Sequence, residues 1–542
     1  MSDFSRRSFL GFVGAAGAAF TLPALAGCGS ATPSTSTTGG KVAAFPKYIP
    51  FPGPKPDLPG TADGVQGGYL SYPSSLKQSV AEKPGDGSDV NALVITYSQP
   101  PSPLEQNKLW QAVNAALGVN LKFTIVSSAD YSKKMATVMA GGELPDIMFL
   151  LNNPPLPRVD QFIAATCADL TEFLSGDAVK AYPNLANLPT YVWSGAGRVN
   201  GGLWAVPIER PIFGSPMFVN RTAFGAAPTN WTSEQFREAM KGFSAGGKHW
   251  GLGSSKGAEF GLPWHIQCFG APNTWERAAD GSFTPMYDSD AFPKAFEYIR
   301  KLKTDGSFHP DMLTLSVTDM KSAFYNQTIG GMNDGLAAYQ TTIGKVKKSW
   351  VPDLALPYTT GTAAGIHLSS GSVGRVVFKK ATKDRIKLLL RVVDFLAAPF
   401  GSKEYELTHY GVEGTHFTRS PSGDPVFTPL RDTENPDILP VRYVMDAPTA
   451  LYIPGDPDAT KRLHEYEKAV IAKAKVNPAY GLSSDTQTTV IAQLNKNISD
   501  AYTAILTDRQ PVSSWADVVK KWKNDGGTKI AEELAAAYKA AN

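Results

Sequence analysis

Residues 92–150 read ALVITYSQPPSPLEQNKLWQAVNAALGVNLKFTIVSSADYSKKMATVMAGGELPDIMFL. Ala92 to Tyr97 is an apolar run of strand length bounded by a Pro-rich turn. Leu104, Leu109, Val113 and Leu117 then recur at helical spacing and stop at Gly118, a residue suited to the left-handed helix end. Leu121 to Val126 alternates as a second strand. Asp130 predicts the start of a helix through Ala140, Gly141-Gly142 predicts its stop, and Pro145-Asp146 leads into the buried run Ile147 to Leu150. Strand, helix, strand, helix, strand is the rhythm of an α/β fold with an open sheet covered by helices, and such sheets bind ligands beyond the carboxyl ends of their strands.

The rhythm resumes downstream. Met217 to Asn220 is strand-like, Trp231 to Phe243 and Ala291 to Leu302 are helical, and Asp319 to Phe324 is a short helix before strand-like Thr328-Ile329. Leu354 to Tyr358 leads into Ile366 to Val377, and Asp384 to Ala398 reads as an amphipathic helix. Three further helices are expected over Lys461 to Ala474, Ser514 to Trp522 and Thr528 to Ala540. Residues 42–88 are dense in Pro and Gly and read as an irregular segment wrapping the surface.

Two export signals open the chain. Arg6-Arg7 lies in Ser5-Arg6-Arg7-Ser8-Phe9-Leu10, and after an apolar stretch comes Leu25-Ala26-Gly27-Cys28. The pair resembles a twin-arginine (Tat) signal joined to a bacterial lipobox. That resemblance implies a signal peptide over residues 1–27, a lipid on Cys28, palmitate among its chains, and a lipoprotein on the extracellular face of the cytoplasmic membrane. Residues 28–45 are expected to be a lipid anchor and flexible tether, rich in Gly, Ser and Thr.

The chain of 542 residues carries 52 basic and 49 acidic side chains, a net charge of +3, so nothing in the charge balance calls for a nucleic-acid partner. No later segment is apolar over 18 residues, as a spanning helix requires. Of 3 cysteines, Cys167 and Cys268 are left after the lipobox, open to a disulfide or to burial as small apolar groups. Aromatic residues are abundant, with 27 Phe, 20 Tyr and 10 Trp, and many stand beside Gly or Pro. Indoles on loops suggest platforms for flat apolar faces.

Gly142-Glu143-Leu144-Pro145-Asp146 resembles the return into the first-lobe sheet of extracellular solute-binding proteins of ABC importers, the large oligosaccharide-binding type (family 1). Further landmarks follow in order: Gly201-Gly202-Leu203-Trp204-Ala205-Val206-Pro207 before a crossing between lobes, Asp305-Gly306-Ser307-Phe308-His309-Pro310-Asp311, then Tyr410-Gly411-Val412-Glu413-Gly414-Thr415-His416-Phe417, and Pro511 to Tyr538 with Trp515. The resemblance implies a two-lobed periplasmic-binding-protein-like fold with hinge crossings near 208–218 and 355–378. Lobe 1 is expected over 46–210 plus 360–425, and lobe 2 over 211–359 plus 426–542. It further implies high-affinity capture of an oligosaccharide for carbohydrate transport, delivery to membrane permease subunits of an ABC importer, no enzyme activity and no cofactor. Alginate-binding relatives of this type carry a calcium loop, but Gly251 to Glu259 holds one carboxylate and a lysine, too few oxygens for calcium, so no metal is expected.

A sugar presents apolar C–H faces to aromatic rings and hydroxyls to charged or amide side chains. Candidate substrate-binding residues at strand ends and crossings are Tyr97, Gln99, Trp204, Glu209, Arg210, Trp264, His265, Trp275, Asp334, His367, Arg375, Glu413 and His416. Trp264 and Trp275 stand out because no helix or strand is evident beneath which they would pack. The excess of loop tryptophans over paired basic residues favours a neutral or mildly charged oligosaccharide. A peptide is the alternative ligand, and a secreted glycan-active enzyme using Glu209 with Glu413 is a weaker one; no His-Glu-x-x-His helix is present.

Overall fold

Nine strands build the two sheets that organise the molecule: β1 (Asp89–Thr96), β2 (Asn120–Ser127), β3 (Ile147–Leu151), β4 (Val206–Glu209), β5 (Met217–Asn220), β6 (Trp250–Gly253), β7 (Ile329–Asn333), β8 (Pro352–Ala355) and β9 (Ser372–Phe378). The computed structural model describes residues 42–541 apart from 62, 142, 153–155, 200, 226–230, 245, 258–260, 347–348, 361–363 and 483. The export signals, Cys28 and most of the tether lie outside the described residues, as does Glu259 of the 251–259 loop. Among the described residues no helix is long and apolar enough to cross a membrane.

The first sheet has the order β2-β1-β3-β9-β4. β1 pairs in parallel with β2, from Asp89↔Asn120 to Thr96↔Ser127, and with β3. β9 runs antiparallel to both β3 and β4. The helix α1 (Lys108–Leu117) starts at Asn107, whose side chain accepts from Trp110 N, and ends at Gly118, where φ is +67°. The helix α2 (Tyr131–Met139) has no side-chain bond from Asp130 to its first turn; that carboxylate instead accepts from Ser127 Oγ at 2.7 Å. Val94, Ile95, Phe149, Leu389 and Val393 are among the residues that close this core.

The second sheet has the order β8-β5-β7-β6 and sits between two further cores. Strand alternation divides them: Met217 and Val219 face one with Phe236, Trp264 and Trp515, while Phe218 faces the other with Tyr339 and Leu463. Val42–Asn542 is a compact unit, with the first sheet's core separate from those of the second.

Packing moves two of the expected boundaries. Leu439, Val441, Val444 and Met445, placed in lobe 2 by sequence, join the first core, and the chain passes to the second lobe only at Leu451 and Ile453. Ile366 and Leu368, placed in lobe 1, belong to the second. The last tether residues are also docked: Ala43 N donates to Gly201 O at 2.8 Å, and the Arg198 guanidinium lies 3.6 Å from the Phe45 ring centroid. Cys167 and Cys268 are free buried thiols, one in each lobe's core, and burial raises both; Cys167 is pushed up to about 11.

The chain leaves the first sheet after β4 and enters the second at β5, then leaves β8 and re-enters at β9. The antiparallel registers Asn333↔Met217 and Ala355↔Met217 therefore bring the carboxyl ends of β7 and β8 to the edge where the crossings arrive. The carboxyl ends of β1 to β4 lie on the matching edge of the first sheet.

Candidate functional site

Tyr97 and Gln99 follow β1 directly and are both exposed, Tyr97 to 41%. The Tyr97 ring lies 5.9 Å from that of Tyr443, which is backed in turn by Phe149 at 5.4 Å. The result is a tyrosine platform standing on the first core. Arg210, the residue after β4, has its guanidinium carbon 6.0 Å from the Tyr443 ring centroid. Its Nη1 donates to Asp446 Oδ2 at 2.8 Å and to its neighbour's carbonyl, Glu209 O, at 2.7 Å.

Asp446 is a buried anchor for this wall. Besides Arg210 it accepts from Arg442 Nε at 2.7 Å and from the Ala447 amide at 3.0 Å, and His409 Nε2 lies 3.0 Å from Oδ1. Burial opposes its ionisation, but Arg442, Arg210 and His409 together hold its carboxyl well below the usual range. Arg442 in turn reaches Asp437 at 3.2 Å. His409 is stacked on Tyr405 at 3.7 Å, and its burial depresses it despite the carboxylate beside it.

The second lobe contributes Lys321, from helix Val317–Tyr325, and Asp334, just beyond β7. Their ion pair is 3.0 Å long. Burial alone would lower the Lys321 ammonium, and Asp334 outweighs it and holds it raised. The Lys321–Asp334 pair stands at the carboxyl end of β7, on the edge of the second sheet where the crossings arrive. The assembled wall has aromatic faces, hydrogen-bonding groups and cations each matched by a carboxylate. It suits a ligand with apolar faces and many hydroxyls.

Of the sequence candidates, Tyr97 and Arg210 gather at the Tyr443 ring, Asp334 pairs with Lys321 beyond β7, and Gln99 is exposed just past β1. The others are engaged elsewhere. Trp264 is fully buried in a helix the sequence did not reveal, Leu262–Cys268, started by Pro263; it packs against Phe236 at 5.3 Å and Tyr358 at 5.2 Å. His265 beside it is also fully buried, 2.9 Å from the Tyr358 hydroxyl, and desolvation pushes it down to about 3, leaving it neutral. Trp275 is buried between Phe283 and Trp522, and Trp204 is half-buried on the first core. Glu209 points away from Arg210, as strand alternation requires, and accepts from Tyr191 Oη at 2.7 Å and from Thr449 N and Oγ1 at 2.8 and 2.7 Å.

His367 Nε2 donates to Ala271 O at 2.9 Å, and burial lowers it to about 4. Arg375 Nη2 donates to Asp160 Oδ1 at 2.7 Å within the first lobe. Glu413 accepts from Arg419 Nε at 3.2 Å, and fully buried His416 accepts from the Val412 amide at 3.0 Å while its Nε2 lies 3.2 Å from Glu434. These four hold turns and crossings, and Glu209 and Glu413 each serve a different structural partner. Sequence reasoning missed Lys321, Tyr443 and the Asp446 network. Arg442 and Asp446 at helical spacing were the one legible hint of it.

Residues 108–391 match the profile of the bacterial extracellular solute-binding protein family. Two relatives from Bacillus subtilis (strain 168) align over most of their length. The polygalacturonan/rhamnogalacturonan-binding protein YtcQ is 24% identical over 88% of this chain and 97% of its own. Lipoprotein LipO is 23% identical over 83% and 92%. Among solved structures, the Streptococcus pneumoniae ABC-transporter substrate-binding protein FusA, in complex with kestose, superposes with a TM-score of 0.62 at 14% identity, covering 84% of this chain and 100% of its own. At that identity the likeness establishes the two-lobed fold.

Proposed function

We propose, on the premise that this chain belongs to the bacterial extracellular solute-binding proteins, that it captures an oligosaccharide between its lobes and delivers it to the permease of an ABC importer. What supports this reading is a pair of groups at the strand ends of the two sheets, Tyr97 and Tyr443 with Arg210 on the first and Lys321 with Asp334 on the second. Pyranose faces stack on the tyrosines, and the paired charges take the hydroxyls through charge-assisted hydrogen bonds. Because Arg210 and Lys321 each have a carboxylate partner, the ligand is neutral or weakly charged. Tyrosine takes the stacking role that the sequence assigned to tryptophan: none of the tryptophans is exposed among the described residues.

Lys321 favours a second reading, an acidic pectic fragment whose carboxylate displaces Asp334 from the ammonium. The names of the relatives, a galacturonan binder and a kestose complex, support the oligosaccharide class from both sides of that choice. Cys28 carries the lipid that keeps the protein at the outer face of the cytoplasmic membrane, following the twin-arginine and lipobox resemblance and the lipoprotein name of one relative.

Thermal-shift screening of the mature protein against neutral glycans, uronate oligomers and peptides tests the reading. Neutral glycans are expected to stabilise it. Stabilisation by uronates alone selects the second reading, and stabilisation by peptides alone removes both.

A further inference from the structure

Three crossings connect the lobes: residues 210–216, 356–371 and 446–453. Two buried carboxylates lie beside them, linked through Gln66, whose Nε2 donates to Thr449 O at 3.5 Å. Glu209 ends β4 in the first lobe and is held by Tyr191 and by Thr449 of the third crossing. Glu467 lies on helix Pro457–Ile471 of the second lobe and has no solvent exposure. Its Oε2 accepts from the Gln66 amide at 2.8 Å. Its Oε1 is buried without a hydrogen-bond partner among the described residues, and so is the Gln66 side-chain oxygen. Gln66 belongs to the wrapping segment that pairs with the third crossing through Tyr69 N and Leu451 O at 2.8 Å.

An ionised carboxylate left with one bare oxygen, buried two hydrogen-bonded residues away from a second buried carboxylate, is a costly arrangement in a protein interior. One proton relieves it. A proton on Glu467 Oε1 removes the uncompensated charge from that oxygen, and it leaves a single negative charge on the pair. Burial and then the Glu209 charge push Glu467 up to about 8, and burial raises Glu209 as well. The other titratable or charged groups facing the pair are Tyr191 from helix Thr190–Ala196, Arg210 from the first crossing and Tyr466 on the same helix as Glu467. Gln66 and Thr449 are uncharged. Arg210 is paired with Asp446 at 2.8 Å.

We propose that Glu467 is a proton-binding site at the lobe crossings, occupied at neutral pH, and that loss of its proton weakens the arrangement in which the lobes approach each other across the cleft. Deprotonation places two negative charges on elements belonging to different lobes. It therefore acts on the same equilibrium as ligand closure without touching the ligand wall.

The test uses the mature, ligand-free protein and its Glu467→Gln variant, so it is independent of which solute binds. A group raised on folding stabilises the fold below its unfolded value, and that stability is lost as pH rises through the folded value. The stability difference between variant and parent is therefore expected to grow from about pH 5 and level off above about pH 8, whereas the parent's radius of gyration is expected to rise only between about pH 7 and about pH 9, where the folded protein itself loses the proton, while the variant's stays constant. A pH-independent difference, or parallel scattering profiles, would overturn the proposal. Infrared spectra of parent protein with isotope-labelled glutamate read the same site if the variant does not fold: a protonated-carboxyl band is expected at neutral pH and lost by about pH 9. Its absence at neutral pH contradicts the assignment. Stabilisation of the parent by sodium or calcium chloride at alkaline pH, missing in the variant, would replace the proton with a bound cation.

Discussion

Tyr97 and Trp264 separate the two roles an aromatic residue takes in this fold. Tyr97 is exposed at the edge of the first sheet, so Tyr97→Ala removes a stacking face and is expected to cost about 1–3 kcal/mol of ligand affinity with little effect on stability. Trp264 is a core residue, and Trp264→Ala is expected to destabilise the second lobe by about 3–5 kcal/mol while the folded fraction binds normally. Calorimetric titration with the ligand found by screening, beside denaturant unfolding, reads both; equal loss of affinity in the two variants contradicts the division. Asp394 supplies a pH test away from the cleft. It is buried on helix Lys383–Leu396, where its Oδ1 accepts from the amides of Asn184 and Leu185, both at 2.9 Å, and desolvation pushes it up to about 7. The folded value lies above the usual 3.8, so the stability that Asp394 contributes is fully present in acid and is lost as pH rises from about 4 to about 7. Asp394→Asn keeps the acceptor oxygen and is expected to flatten the unfolding midpoint over that range.

Helices with a clean apolar stripe and a capping signal were readable one by one. Ser233–Phe243 begins at the capping box of Thr232 and Gln235, and Gly118 ends α1. The longest helix, Asp485–Leu506, escaped the reading. Its first half is rich in Thr, Gln and Asn, which favour caps and turns over helix interiors, and this masked a stripe of Leu494, Ile498, Tyr502 and Ile505 spaced by four, four and three residues. That stripe packs with Phe292 and Trp515, the latter stacked on Tyr502 at 5.4 Å. Burial on this face holds the helix, so Ile498→Ala is expected to lower unfolding stability by about 2–5 kcal/mol, whereas substituting exposed Gln493 is expected to change it by less than about 0.5 kcal/mol. Circular dichroism with urea unfolding checks the contrast.

Across the whole molecule, the topology places the cleft where three chain crossings run between two sheets, and hinge closure over a ligand is the motion that such a joint permits. Small-angle scattering is expected to show a smaller radius of gyration at saturating oligosaccharide; an unchanged radius contradicts closure. Gly371, at φ +71°, belongs to this joint, where any added Cβ would meet the Tyr191 ring 2.3 Å away, so the crossing depends on glycine there. Anchoring is a separable property. Cys28→Ser is expected to release the protein from the membrane fraction and leave ligand affinity unchanged, measured by fractionation and calorimetry in parallel. Retention on the membrane contradicts the lipid on Cys28.

The residues themselves determined the α/β class and the order of most elements, because the apolar repeat within a strand or helix is local and survives in the linear chain. The expected strand end at Tyr97 followed from the same periodicity, whereas Arg210 and Asp334 were placed by the family resemblance. Tertiary structure alone decided which side of a core each aromatic occupies. Trp264 and Trp275 stand beside Gly and Pro as exposed platforms would, yet distant partners, Phe236, Tyr358 and Trp522, cover them. It also decided the wall opposite Tyr97. Tyr443, far from Tyr97 in sequence, meets it by packing, and Asp446 and Lys321 pair with Arg210 and Asp334, none of which leaves a periodic trace in the chain.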